Sequence, residues 1–142
     1  MDNAGIKLST GIQSEAKVLC RPTQLAQILI NLFNNSFDAI RDSKGAWLKI
    51  ETKQRDSFVD IYITDSGTGI PPAIADKIMQ PFYTTKEPGK GTGLGLSISK
   101  GLIESMHGEL KYIETSPNTQ FRVSIPAYRA APHLHKNNAE FV

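Results

Sequence analysis

Three groups of residues in this chain have types and spacings that could do chemistry. The first is a polar stripe, Gln24, Gln27, Asn31, Asn34, Asn35 and Asp38. At 3.6 residues per turn these positions share roughly one helix face. A face made only for water usually carries Glu, Lys and Arg, which form helices well. Asn forms them poorly, and this stripe has three. An asparagine offers a neutral carbonyl oxygen to a metal ion, or an amide to phosphate oxygens. Mg²⁺ takes a few hard oxygens from protein and the rest from water and phosphates.

The second group is "IYITDSGTGIPP", with Asp65 at the end of an apolar strand and Gly67 and Gly69 behind it. A carboxylate fixed there can accept hydrogen bonds from a flat, amino-bearing heterocycle, and glycines allow close approach. The same residues also describe an ordinary Asp-containing turn. The third group is "GTGLGL", Gly91 to Leu96. It is not the phosphate loop GxxxxGK[ST], because Gly91 follows Gly89-Lys90. Nor is it GxGxxG, because Gly91 and Gly93 lead to Leu96. Taken alone, it is a cradle, a hinge or a loose loop.

The elements that must position these groups follow from periodicity. "GIKLSTGI" (5–12) and "AKVLC" (16–20) read as short strands. Pro22 suits a helix's first turn. From Thr23 to about Arg41, Leu25, Ile28, Leu29, Leu32, Ser36 and Ile40 form an inward face. "WLKIETK" and "FVDIYITD" alternate apolar and polar residues around the turn "QRDS", a hairpin. Ile74 to Met79 reads as a short helix, Tyr83 to Gly93 as a loop, and Leu94 to Met106 as a second long helix ended by His107-Gly108. "ELKYIET" and "QFRVSIPA" read as a second hairpin. The expected domain is 1–126, followed by an aperiodic and mobile tail, 127–142. Strands in antiparallel pairs with helices between them imply an α+β fold. It is a two-layer sandwich with a mixed, mostly antiparallel sheet and helices on one face.

Composition narrows the partners. The chain has 142 residues, 39% of them hydrophobic, enough for one domain with a real core. A net charge of +2 without a long basic run gives no support to nucleic acid as the main partner. The single cysteine, Cys20, cannot form an internal disulfide, which fits a reducing compartment. Apolar runs such as Ile28-Leu29-Ile30 are too short to cross a membrane. "MDNAGIKLST" lacks the layout of a signal peptide. These features lead to the expectation of a soluble, cytoplasmic domain without membrane contact of its own, whatever anchors its parent protein.

Taken in order, "NLFNNSFDA" (31–39), "DSGTGI" (65–70), "PFYTTK" (81–86) and "GTGLGLSI" (91–98) resemble the N, G1, F and G2 boxes of sensor histidine kinase catalytic domains. These belong to the superfamily of gyrase, heat-shock chaperone and mismatch-repair ATPases. The resemblance runs from Lys17 to Pro126, and "FYTTK" is similar to the nitrogen-regulator type. It implies the Bergerat ATP-binding fold, with ATP and Mg²⁺ as cofactors. By that resemblance Asn35 binds the metal, and Asn31 supports metal or phosphates one turn earlier. Asp65 accepts the adenine amino group, Gly67 and Gly69 shape the pocket, and Ile70 lies near the ring. Phe82 anchors a lid that includes Thr84 and Thr85. Gly91, Thr92, Gly93, Leu94 and Gly95 close the phosphate end, and Lys86 and Lys90 are candidate phosphate partners. Leu94 and Leu96 should plug the following helix into the core.

Two departures stand out. Asp38 occupies a position where many such kinases carry Lys or Arg, so Lys86, Lys90 or Arg41 would have to substitute. Arg21-Pro22 stands where Asp-Pro is frequent. The hydrolysing branches carry a Glu where this chain has Asn31, and an amide cannot take a proton from water. The resemblance therefore implies phosphoryl transfer to a histidine on a helical dimerisation domain, with a response regulator as indirect partner. None of the three histidines, His107, His133 and His135, suits that acceptor role, so the chain alone is not expected to autophosphorylate. His107 reads as a helix-end cap. The alternative is a partner-binding module of the same fold, such as an anti-sigma-like serine kinase or a nucleotide-binding regulatory domain.

Overall fold

A computed structural model describes residues 5–12, 17–81, 95–128 and 140–141. Among these residues seven strands and three helices follow the order β1 (Lys7–Ile12), β2 (Leu19–Cys20), α1 (Pro22–Ile40), β3 (Trp47–Arg55), β4 (Phe58–Asp65), α2 (Pro72–Ala75), α3 (Gly95–Ser105), β5 (Glu109–Tyr112), β6 (Thr119–Pro126) and β7 (Glu140–Phe141). The main sheet has the strand order β1-β3-β4-β6-β5. Three of its pairings are antiparallel, and β1 runs parallel to β3. This is the mixed, mostly antiparallel sheet expected.

Pairing departs from expectation at the first two strands. They do not form an antiparallel pair. β1 pairs with β3 in parallel because α1 carries the chain over the sheet between them. β2 pairs instead with β7, Leu19 opposite Phe141 and Cys20 opposite Glu140, while Val18 bridges Ala127. The tail, read as aperiodic from sequence, thus returns to the domain at 140–141.

α1 forms where the sequence placed it. Pro22 sits at its start, and the Leu25 N–H is bonded to the Arg21 carbonyl at 3.0 Å. Leu25, Ile28, Leu32, Ser36 and Ile40 are buried. α2 is shorter than the helix expected at Ile74 to Met79. After Ala75 the chain continues in tight turns, with Lys77 N–H on the Ile74 carbonyl and Gln80 N–H on the Lys77 carbonyl, both at 2.9 Å.

The core lies between α1, α3 and one face of the sheet. Ile28, Leu32, Leu48, Ile63, Ile103, Val123 and Ile125 are almost entirely buried. Leu96 is packed partly against it, as expected; Leu94 lies outside the described residues. The opposite sheet face is polar. Its one fully buried charge, Asp60, is satisfied by Arg55 at 2.7 Å and by the Ser124 hydroxyl at 2.7 Å.

α3 ends in a Schellman motif. Gly108 N–H reaches the Ile103 carbonyl at 2.9 Å and His107 N–H reaches the Glu104 carbonyl at 3.0 Å. The left-handed residue is His107, with φ 63°, not the glycine. Gly108 is needed for another reason. A Cβ there would stand 2.3 Å from the Ser124 carbonyl oxygen of β6. Among the described residues, no helix is long and apolar enough to cross a membrane.

Candidate functional site

Asp65 is the last residue of β4 and is 1% exposed. An apolar, strand-forming run delivers it there, and Ser66-Gly67 then turn the chain. The turn is tied to the neighbouring strand: Ser66 N–H donates to the Trp47 carbonyl at 3.0 Å, and Trp47 N–H donates to the Ser66 hydroxyl at 3.2 Å.

The carboxylate of Asp65 accepts the Gly67 N–H at 2.7 Å. Burial raises its pKa; the Gly67 N–H and the nearby Ser36 and Thr119 side chains oppose that rise without cancelling it. An ionised carboxylate has about four acceptor positions, so the Gly67 N–H leaves room for further donors. Gly67 is sterically required: a Cβ would stand 2.8 Å from both Asp65 Oδ1 and Thr119 Oγ1.

The turn leans on the β5–β6 hairpin. Gly69 N–H donates to Thr119 Oγ1 at 3.1 Å, Thr119 N–H donates to the Gly67 carbonyl at 3.1 Å, and Asn118 Nδ2 donates to that carbonyl at 3.2 Å. The structure therefore brings Asp65, Gly67, Gly69 and Ile70 together as one braced surface.

α1 supplies the second wall. Ser36 is buried on the face of α1 toward Asp65 and favours its ionised form, and Asn35 precedes it on the helix. Asn31, one turn earlier, donates through Nδ2 to Ser99 Oγ on α3 at 3.2 Å. Both asparagines are half-buried, whereas Asn34 and Asp38 are exposed, so the polar stripe divides into a lining edge and a wet edge. Asp38 stands 3.7 Å from Arg41.

Among the described residues no cluster of three or more His, Cys, Asp or Glu is placed to hold a metal ion. Any ion here would rest on amide oxygen, water and phosphate. That donor set fits Mg²⁺ brought in with a nucleotide.

Gly95 begins α3, in a helix with no acidic residue in its first turn. Phe82, Thr84, Thr85, Lys86, Lys90, Gly91, Thr92, Gly93 and Leu94 lie outside the described residues. Sequence reasoning missed Ser36, Thr119 and Tyr112. Ser36 left a readable signal, since a hydroxyl on an otherwise apolar, buried helix face requires a partner. The other two lie far along the chain from the turn they brace.

Comparison with known proteins bears on the fold and the family. Residues 20–129 match the family described as histidine kinase-, DNA gyrase B-, and HSP90-like ATPase. The chain is 39% identical over 114 residues to the two-component sensor PprA of Pseudomonas aeruginosa, which covers 77% of this chain and 12% of that sensor. It thus spans only a small part of that relative. The catalytic domain of histidine kinase ThkA, solved nucleotide-free, superposes with a TM-score of 0.76 at 30% identity, covering 88% of this chain and 82% of that one. ThkA in complex with response regulator protein TrrA gives 0.73 at 28% identity, covering 89% and 36%. With fold, braced carboxylate and asparagine wall in place, the chain belongs to the histidine kinase-, DNA gyrase B-, and HSP90-like ATPase family, as a catalytic domain of the histidine kinase kind.

Proposed function

We propose that this domain holds Mg-ATP and presents its γ-phosphoryl group to a histidine on a helical dimerisation domain of its parent kinase. The observation that carries the reading is Asp65, buried at a strand end, held by the Gly67 N–H and with acceptor capacity to spare. A purine amino group supplies a further donor. Gly67 and Gly69 keep the approach clear, and Ile70 offers an apolar edge to the ring.

Asn35 supplies the amide oxygen for Mg²⁺, and Asn31, held by Ser99, supports the phosphates from one turn away. Gly91, Thr92, Gly93, Leu94 and Gly95 offer backbone N–H groups to the triphosphate, while Lys86 and Lys90 offer charge. Phe82, Thr84 and Thr85 belong to the lid over it. Bound Mg²⁺ would neutralise charge on the β- and γ-phosphates. The protein's part is to hold the nucleotide in line and to provide no base for water. Asn31 cannot accept a proton, which favours transfer over hydrolysis.

Ile30 and Ile98 support a docking role for the helix layer. Both are exposed, at 54% and 43%, and each immediately precedes a member of the Asn31–Ser99 bond. An exposed apolar pair there suits a helical partner. A response regulator is the indirect partner of this reading; ThkA is solved in complex with one. The relatives' names favour this reading over a serine kinase of the anti-sigma kind. A cytoplasmic location follows from ATP as substrate.

The test is nucleotide titration with and without Mg²⁺ for the wild type and Asn35→Ala, followed by phosphotransfer to the parent's dimerisation domain. Asn35→Ala should lose the Mg-dependent part of ATP affinity while leaving the fold intact. Unchanged Mg-ATP affinity would refute the metal role. The 142 residues alone should form no phosphohistidine; its appearance would refute transfer to a separate domain.

A further inference from the structure

Tyr112 ends β5, 42 positions beyond Ile70, yet the Ile70 N–H donates to its hydroxyl at 2.7 Å. Its ring rests on Phe121, its partner across β6, with centroids 5.4 Å apart and planes tilted by 55°. Phe121 is buried in the core. The ring is therefore fixed at its base, and the hydroxyl is a fixed acceptor. The turn it receives is packed directly against it. Gly69 has φ 97°, and a Cβ there would stand 3.1 Å from the Tyr112 oxygen. Consecutive N–H groups of this turn are thus claimed by two side chains of one hairpin, Gly69 by Thr119 and Ile70 by Tyr112.

We infer that Tyr112 is a positioning residue for the purine pocket: its hydroxyl fixes Ile70, and so sets how the Gly67–Ile70 turn meets the base. The inference rests on the reading of Asp65 as the adenine acceptor. Adenine offers an amino group where guanine offers a carbonyl oxygen, which a carboxylate repels. That discrimination needs the base held at one depth against Asp65. Ile70 is the first apolar residue beyond the glycines and packs partly against the core, so its height controls that depth. Tyr112 acts through Ile70 and makes no phosphate contact, so its loss should be felt by the base alone.

The experiment uses the full chain and Tyr112→Phe, which keeps the ring against Phe121 and removes only the hydroxyl. ADP and GDP are titrated, and amide exchange is followed at Gly69 and Ile70. Loss of one hydrogen bond predicts a fall of about 5-fold in ADP affinity. GDP affinity should hold, so the ADP-over-GDP ratio falls, and the Ile70 amide should exchange faster. Equal weakening of both nucleotides with a lowered melting temperature would reduce Tyr112 to a general structural role and overturn the inference. A wild-type preference for ADP retained in full by Tyr112→Phe would overturn it alone. A wild-type chain with no preference would sink the adenine reading of Asp65, and this inference with it.

Discussion

Asn31 on α1 donates its Nδ2 hydrogen to the hydroxyl of Ser99 on α3 at 3.2 Å, with Ser99 fully buried. The bond fixes which way the Asn31 amide points and ties the two helices that flank the proposed phosphate end. Ser99→Ala leaves the amide hydrogen without this partner, at a cost of about 1 kcal/mol. Thermal unfolding should show that loss. Mg-ATP affinity should fall several-fold while metal-free ADP binding holds, because only the phosphate end is disturbed. Equal loss of both would place Asn31 elsewhere in the site.

Asp65 gives the site a pH signature. Burial raises its pKa, so the folded state binds this proton more tightly than the unfolded chain does. Its favourable contribution to stability is then present below the ordinary carboxylate range and lost as pH rises through the raised value. Asp65→Asn removes the titration. The stability difference between Asp65→Asn and wild type should therefore grow in the variant's favour across that window and then level off. Function should move oppositely. ADP binding by wild type should weaken as pH falls through the same window, while Asp65→Asn binds ADP poorly throughout. An Asp65→Asn profile parallel to that of the wild type in urea titrations would refute the assignment.

The end of α3 offers two neighbouring changes of opposite sign. His107 holds a left-handed conformation that glycine adopts without strain, so His107→Gly should stabilise by about 0.5–1 kcal/mol. Gly108→Ala should destabilise by more than that gain, because its Cβ would stand 2.3 Å from the Ser124 carbonyl. Denaturant midpoints of the two variants check both signs.

Much of this was legible because local rules and global packing agree. The apolar face of α1 predicted Leu25, Ile28, Leu32 and Ile40 inward, and each is buried. The alternation around Asp56-Ser57 predicted the β3–β4 hairpin, which runs from Arg55 opposite Phe58 to Leu48 opposite Asp65. What failed was non-local. No pattern in "GIKLSTGI" says that it pairs in parallel with a strand 40 residues on, Lys7 opposite Trp47. At the site, Asp65, Gly67 and Gly69 were readable through their order with the other boxes, since an Asp-containing turn at a strand end is by itself ordinary. Thr119 and Tyr112 were not, since a threonine and a tyrosine on a hairpin are ordinary strand formers. His107-Gly108 was read as the end of α3 with His107 as its cap, and His107 does take the left-handed torsion there. What the local pattern did not show is the space beside β6 that constrains Gly108.

The bracing of the Asp65 turn by Asn118, Thr119 and Tyr112 also sets an order of events in synthesis. All four sequence boxes leave the ribosome before the hairpin that gives the turn its shape. A nascent chain stopped after Ile98 would hold every recognised box, yet its Gly67 and Ile70 would lack the partners that hold them. Nucleotide should therefore stabilise only chains that have reached β6, which makes ATP a report on completed folding of this domain.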